Sequence, residues 1–221
     1  TAEAGIITID LFNAVAARGL FYPPDPGSQN VSTLGGNVAE NAGGLRGLKY
    51  GVTRNYVMAL NGLLYDGTEF RTGGKCVKDV AGYSLRDLLV GSEGTLGIIT
   101  EVTLRLYGIP EAMSAAVVSF PTIEDAVQTV IQTIQSGIPV ARIELLDDLQ
   151  MRAVNRYSKL AYAEQPTLFF EFHGTERGVV EQAEQVAAIA NELGAGDFQW
   201  ATKAEDRNRL WSARHQAYFA G

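Results

Sequence analysis

Apolar and polar residues recur along this chain with two different periods, and those periods outline most of its elements. Residues 8–18 carry Ile9, Leu11, Phe12, Val15 and Ala16 at helical spacing, with Thr8 as N-cap and Gly19 as C-terminal stop. Tyr56 to Leu60 and Thr68 to Arg71 read as two strands, for which Asn61-Gly62 and Asp66-Gly67 both offer hairpin turn chemistry. Ser84 is placed to cap a short helix through Leu89. From Ile98 to Leu106 the alternation has a period of two. It puts Ile98, Thr100, Val102, Leu104 and Leu106 on one face and Ile99, Glu101, Thr103 and Arg105 on the other.

At Gly108-Ile109-Pro110 the character changes, so a boundary is expected there, with one domain over 1–108 and another over 109–221. Strands at 115–120, 140–145, 167–172 and 197–201 alternate with helices. The first helix is announced by Thr122 three residues before Asp125 and ends at Ser136-Gly137. The next runs from Asp147 to Tyr157, the third from about Glu176 to Leu193 before Gly194, and the last from Ala204 onward. Two consecutive β-α-β units predict a ferredoxin-like layer, with helices on one face of a sheet, and an α+β class overall.

Two stretches follow neither period. Thr33 to Gly44 has four glycines, two asparagines and little side-chain bulk, and the rigid run Tyr22-Pro23-Pro24-Asp25-Pro26-Gly27-Ser28 delivers the backbone to it. The second, Gly91-Ser92-Glu93-Gly94-Thr95-Leu96-Gly97, feeds the strand at Ile98. Either stretch can be a tight connection; together they can also be two walls of a cleft whose backbone N–H groups cradle a pyrophosphate. The order loop-then-strand is not the dinucleotide fingerprint, and no phosphate-binding loop with Gly-Lys-Ser/Thr occurs.

Composition narrows the class. The chain has 221 residues, 46% of them hydrophobic, and 7 prolines, which fits globular domains. It has no run of 18 apolar residues and no visible signal peptide, so a soluble protein of the cytoplasm or an organelle matrix is expected, with no membrane span. A net charge of −7 argues against a nucleic-acid partner. Any bound anion is then held locally, and residues 27–55 offer one such place, with Arg46, Lys49 and Arg54 against Glu40. The single cysteine, Cys76, reads as a free core thiol. His173 and His215, far apart and without neighbouring ligands, do not suggest a metal site.

The Pro-rich run, Ser32-Thr33-Leu34-Gly35-Gly36-Asn37, Asn41-Ala42-Gly43-Gly44, Tyr50-Gly51 and Gly91 to Ile99, in that order, resemble the FAD-linked 2-hydroxy-acid dehydrogenases of the vanillyl-alcohol-oxidase type. Within that superfamily the chain is most similar to the D-lactate and D-2-hydroxyglutarate dehydrogenases and the flavin subunit of glycolate oxidase. The resemblance implies the later part of a PCMH-type FAD-binding domain followed by part of a cap domain. It also implies FAD contacts from Pro26, Gly27, Ser28, Ser32 and Thr33, and from Glu40, Asn41, Ala42 and Gly43. Glu93, Gly94, Gly97, Ile98 and Ile99 would add to these, with Gly35, Gly36 and Asn37 shaping the loop past the cofactor. The alternative for Glu93 is an ordinary solvated loop acid, and its position in the motif favours proximity to FAD.

Leu210-Trp211-Ser212-Ala213-Arg214-His215 is similar to the family segment that presents an arginine to the substrate carboxylate. Arg214 is therefore the expected carboxylate ligand, with Tyr218 one turn later; the alternative pairs Arg214 with Glu205 or Asp206. The implied reaction moves a hydride from the α-carbon of a small D-2-hydroxy acid to the flavin, with an electron acceptor and partner subunits unspecified. FAD binding is expected to be noncovalent. Similar motifs also occur in the non-redox alkyl-dihydroxyacetonephosphate synthases, and a ligand-free structural module is a third reading. The family's upstream Gly-Gly-Gly-Thr loop and downstream His-x-Gly-Asp-Gly-Asn segment are not in these residues, so no catalytic residue is assigned and the 221 residues alone are expected to be inactive.

Overall fold

The computed structural model describes residues 1–220, except for the side chains of residues 212, 213, 215, 216, 218 and 219, and divides into two compact units between Ile109 and Pro110. The first unit runs β1 (Ala2–Glu3), α1 (Thr8–Ala16), β2 (Leu20–Phe21), α2 (Leu34–Glu40), α3 (Gly47–Tyr50), β3 (Val57–Leu63), β4 (Glu69–Gly73), α4 (Leu85–Leu89), β5 (Ile98–Leu104) and β6 (Tyr107–Gly108). Its main sheet has the order β1-β5-β3-β4, and β2 pairs with β6. Leu11, Leu34, Val38, Tyr56, Leu60 and Val102 form its core.

Three expectations for this unit change. Thr8 is the first helical residue, not the cap; its buried hydroxyl reaches the Ser32 carbonyl at 3.0 Å. The β3–β4 hairpin turns at Asp66-Gly67, whereas Asn61-Gly62 lies inside β3. Asn61 pairs with Glu101 and Gly62 with Ile99, so Thr100 is the extra residue of a bulge. One inserted residue reverses the facing of everything before it. Ile99 thereby joins Val102 in the core, and Ile98 is left 68% exposed.

The second unit runs β7 (Ala112–Ser119), α5 (Ile123–Gln135), β8 (Arg142–Leu146), α6 (Asp148–Ser158), β9 (Thr167–Gly174), α7 (Glu176–Glu192), β10 (Gln199–Ala201) and α8 (Ala204–Ala220). Thr122, Asp147 and Thr175 each accept an N–H from three residues on, fixing where α5, α6 and α7 begin. The sheet is antiparallel throughout, in the order β10-β7-β9-β8. Helices α5 and α7 cover the face built from Ala116, Val118, Leu168, Phe170 and Phe172. The expectation of helices on one face only fails, because α8, with α6 packed against it, covers the other. Residues of β9 on both faces are consequently buried, from Thr167 to His173.

Candidate functional site

The glycine-rich stretch is not an open turn. Seven of its residues form α2, with Thr33 capping Gly36 N–H at 3.1 Å and Asn41 closing the helix at φ 52°. Glycine is a poor helix former, so packing must supply the reason. Leu34 and Val38 are fully buried, and a Cβ on Gly35 would stand 2.7 Å from that of Ala4. The first N–H groups are spent on the protein: Leu34 donates to the Ile6 carbonyl, Gly35 to Ala4, and Asn37 to Thr33. The α2 start therefore offers no anion nest. Nor is Asn37 presented to a ligand, since its buried amide donates to the Thr8 hydroxyl at 2.7 Å.

The two glycine-rich stretches do meet. Gly91 N–H donates to the Val38 carbonyl and Glu93 N–H to that of Ala39, both at 3.0 Å, so the second loop sits on the end of α2. Arg54 anchors its approach, with both terminal nitrogens 2.6 Å from the carbonyls of Asp87 and Val90. Asn41, Gly91, Glu93 and Gly94 all have positive φ. For Glu93, at 51°, this is an uncommon conformation, and such residues concentrate where a ligand needs the backbone. The proline run is fixed by Asp25, whose carboxylate accepts the Arg46 N–H at 3.0 Å. Tyr22, in the same run, is buried, which pushes its hydroxyl up to about 12, slightly offset by the Thr53 side chain.

Fit to a flavin nucleotide can be judged from the donors left over. Gly27, Ser28, Gly43 and Gly94 are exposed, and their N–H groups have no acceptor among the described residues. Gly27 does not have positive φ, and a Cβ added to it would meet no atom within 4 Å, so nothing in the chain itself requires glycine there. Leu96 and Ile98 add exposed apolar surface at the same loop. Free backbone donors, with exposed apolar side chains in the Gly94 loop, suit a ligand with both a diphosphate and a ring system. Pro26 is buried, Ser32 contacts the Thr8 hydroxyl, Ala42 and Ile99 are half-buried, and Glu40 is exposed on the last turn of α2.

In the second unit, one sheet face gathers charge. Arg142 on β8 meets Glu171 on β9 at 2.5 Å, and the other oxygen of Glu171 lies 2.7 Å from His173 Nε2. All three are buried, and the Arg142 guanidinium lies 3.6 Å from the Trp211 ring centre. Toward the edge, Arg214 Nε donates to Glu144 at 2.7 Å, and both side chains are about a quarter exposed. Arg214 thus pairs with neither Glu205 nor Asp206. The Tyr218 side chain lies outside the described residues. Cys76, expected in a core, is exposed. The sequence reading missed the roles of Glu144 and Arg54, because partners so distant in the chain leave no periodic trace.

Comparison with known proteins gives concordant matches. Residues 109–220 match the family model for the C-terminal domain of FAD linked oxidases, and residues 1–73 match an FAD binding domain. The chain is 46% identical to a probable mitochondrial D-lactate dehydrogenase of Danio rerio, over 100% of this chain and 44% of the relative. It is 43% identical to glycolate oxidase subunit GlcD of Bacillus subtilis, over 100% of this chain and 47% of the relative. It therefore spans slightly under half the length of these curated relatives. Among solved structures, an alkyldihydroxyacetonephosphate synthase superposes with a TM-score of 0.76 at 22% identity, over 98% of this chain and 44% of that one. At that identity the likeness shows a common fold.

Proposed function

Since the chain belongs to the FAD-linked oxidases, we propose that it is part of an enzyme that oxidises a small D-2-hydroxy acid of the glycolate or D-lactate class. FAD, when bound, supplies the two-electron acceptor. The chain's own residues bind and orient. Backbone donors at Gly27, Ser28, Gly43 and Gly94 hold the cofactor's polar groups, with Glu93 and Asn41 fixing the loop shapes that present them. Arg214 takes the substrate carboxylate. Its Nε is held by Glu144, which leaves the terminal nitrogens of the guanidinium to form a bidentate pair. Tyr218 is proposed as a further substrate contact.

The observation that carries this reading is an arginine held by one carboxylate at a partly exposed sheet edge, in a chain whose similar curated relatives are hydroxy-acid oxidoreductases. The synthase reading has only the shared fold behind it. The electron acceptor is proposed to be a separate molecule or subunit, and the working compartment the cytoplasm or an organelle matrix. The test is reduction of the whole flavin-loaded enzyme that contains this chain by glycolate and D-lactate, followed as bleaching of flavin absorbance. Arg214→Gln should lower kcat/KM about 100-fold, mainly through KM, because it removes a charge-assisted bidentate contact. No bleaching by either acid, or an unchanged KM in the variant, would refute the proposal.

A further inference from the structure

A polar cleft of about 320 Å³ opens in the first unit, and none of its lining residues belongs to the glycine-rich loops. Arg54, Arg86 and Arg105 line it, together with Cys76 and an apolar wall that includes Val57 and Val77. Asp87 is the one carboxylate among the residues that line it, so three positive charges against one negative leave the lining a formal +2. This concentration stands inside a chain whose net charge is −7.

The arginines are not accounted for by their neighbours. Arg54 spends its terminal nitrogens on two carbonyls, which cancel none of its charge. Arg86 reaches Asp87 at 3.3 Å, which offsets one of the three positive charges, and donates to the Met58 carbonyl at 3.4 Å, which offsets none. The Arg86 Nε is buried with no hydrogen-bond partner. Arg105 lies over the Tyr107 ring, 4.8 Å from its centre, and has no carboxylate partner among the described residues. Like charges confined to one concave surface repel, and a buried guanidinium donor without an acceptor costs free energy. An anion in the cleft relieves the repulsion.

We propose that this cleft binds a phosphoryl dianion carried by a small solute other than the flavin. Two negative charges balance the formal +2. A tetrahedral phosphoryl group presents acceptors in several directions at once, as converging guanidinium groups require. The volume leaves room for a short carbon chain against Val57 and Val77.

Cys76, the single cysteine of these residues, is exposed and lines the cleft, so it can report occupancy. The experiment measures alkylation of Cys76 by uncharged N-ethylmaleimide in the FAD-loaded protein, read by peptide mass spectrometry. Inorganic phosphate or glycerol phosphate is titrated against potassium chloride of equal ionic strength. The expected result is a saturable slowing of about tenfold with phosphate, half-complete in the low millimolar range, against little effect of chloride. Arg105→Gln, which alters an exposed side chain, and Arg86→Gln should each raise the half-effect concentration about tenfold. Phosphate acting no better than chloride would overturn the proposal. So would protection confined to FAD-free protein, which would identify the occupant as the flavin's own diphosphate. Protection by phosphatidic acid vesicles but by neither soluble phosphate would also overturn it, by assigning the charge to a lipid surface.

Discussion

Gly44 is the point at which the proline run docks on the segment after α2, and replacing it by alanine tests how rigidly the two are coupled. A Cβ there would lie 2.3 Å from Asp25 Oδ1 and 2.4 Å from both the carbonyl carbon and the carbonyl oxygen of Asp25. Ordinary contacts between carbon atoms are about 3.5–4.0 Å, so each overlap is about 1 Å or more. Rotating the Asp25 side chain clears the first of the three and leaves the two backbone atoms in place. The chain must shift, and the shift pulls Asp25 off the Arg46 N–H, now at 3.0 Å. Overpacking of this kind costs about 1–3 kcal/mol, and loss of a hydrogen bond to a carboxylate about 1–2 kcal/mol. Gly44→Ala should therefore destabilise the first unit by about 2–5 kcal/mol. Hydrogen exchange of residues 8–60 in a urea series reads that unit separately, which matters because a chain of two units need not unfold in one step. Adding Asp25→Ala should give no rescue. Gly27→Ala is the contrast: with nothing within 4 Å, it should leave stability within about 0.5 kcal/mol while weakening FAD binding. A Gly44→Ala protein as stable as the parent, or one rescued by Asp25→Ala, would refute the reasoning.

Glu171→Ala removes the carboxylate shared by Arg142 and His173 inside the second unit and should cost about 3–5 kcal/mol, seen as an earlier urea midpoint for that unit. In alkali, the first unit should weaken through Tyr22 and Tyr56, whose hydroxyls are raised mainly by burial. Because the folded state holds these protons more tightly than the unfolded chain, their contribution is full below the ordinary tyrosine value of 10.0 and is lost as pH rises; for Tyr22 the loss runs through about 12. Urea midpoints between about pH 9 and 12 check this, and Tyr22→Phe should flatten the decline.

Helix and strand positions in the second unit were readable because each rests on local signals: a capping residue, a period, a glycine stop. Which sheet face carries which helices was less plain. The sign was present in Leu168-Phe169-Phe170-Glu171-Phe172, a run too apolar for a strand with one wet face. In the first unit, propensity argued against helix at Leu34-Gly35-Gly36, but the close approach of Ala4 reverses the preference, and that contact spans thirty-one positions of sequence. The bulge at Thr100 was likewise invisible, since strict alternation in a sequence cannot announce that a partner strand skips a residue. For the site, the loops declared themselves by composition, and the structure adds that they touch. What fixes them, Arg54 for the second loop and Glu144 for Arg214, comes from elsewhere in each unit.

The seating of Gly91 and Glu93 on the Val38 and Ala39 carbonyls has a kinetic corollary. Those two amides become free to exchange with solvent only when the last turn of α2 lets go of them, so loop and helix end should open as one cooperative unit with a common opening free energy. A ligand gripping the loop at Gly94 would then slow exchange in α2 as well, some fifty residues earlier in the chain and without touching it.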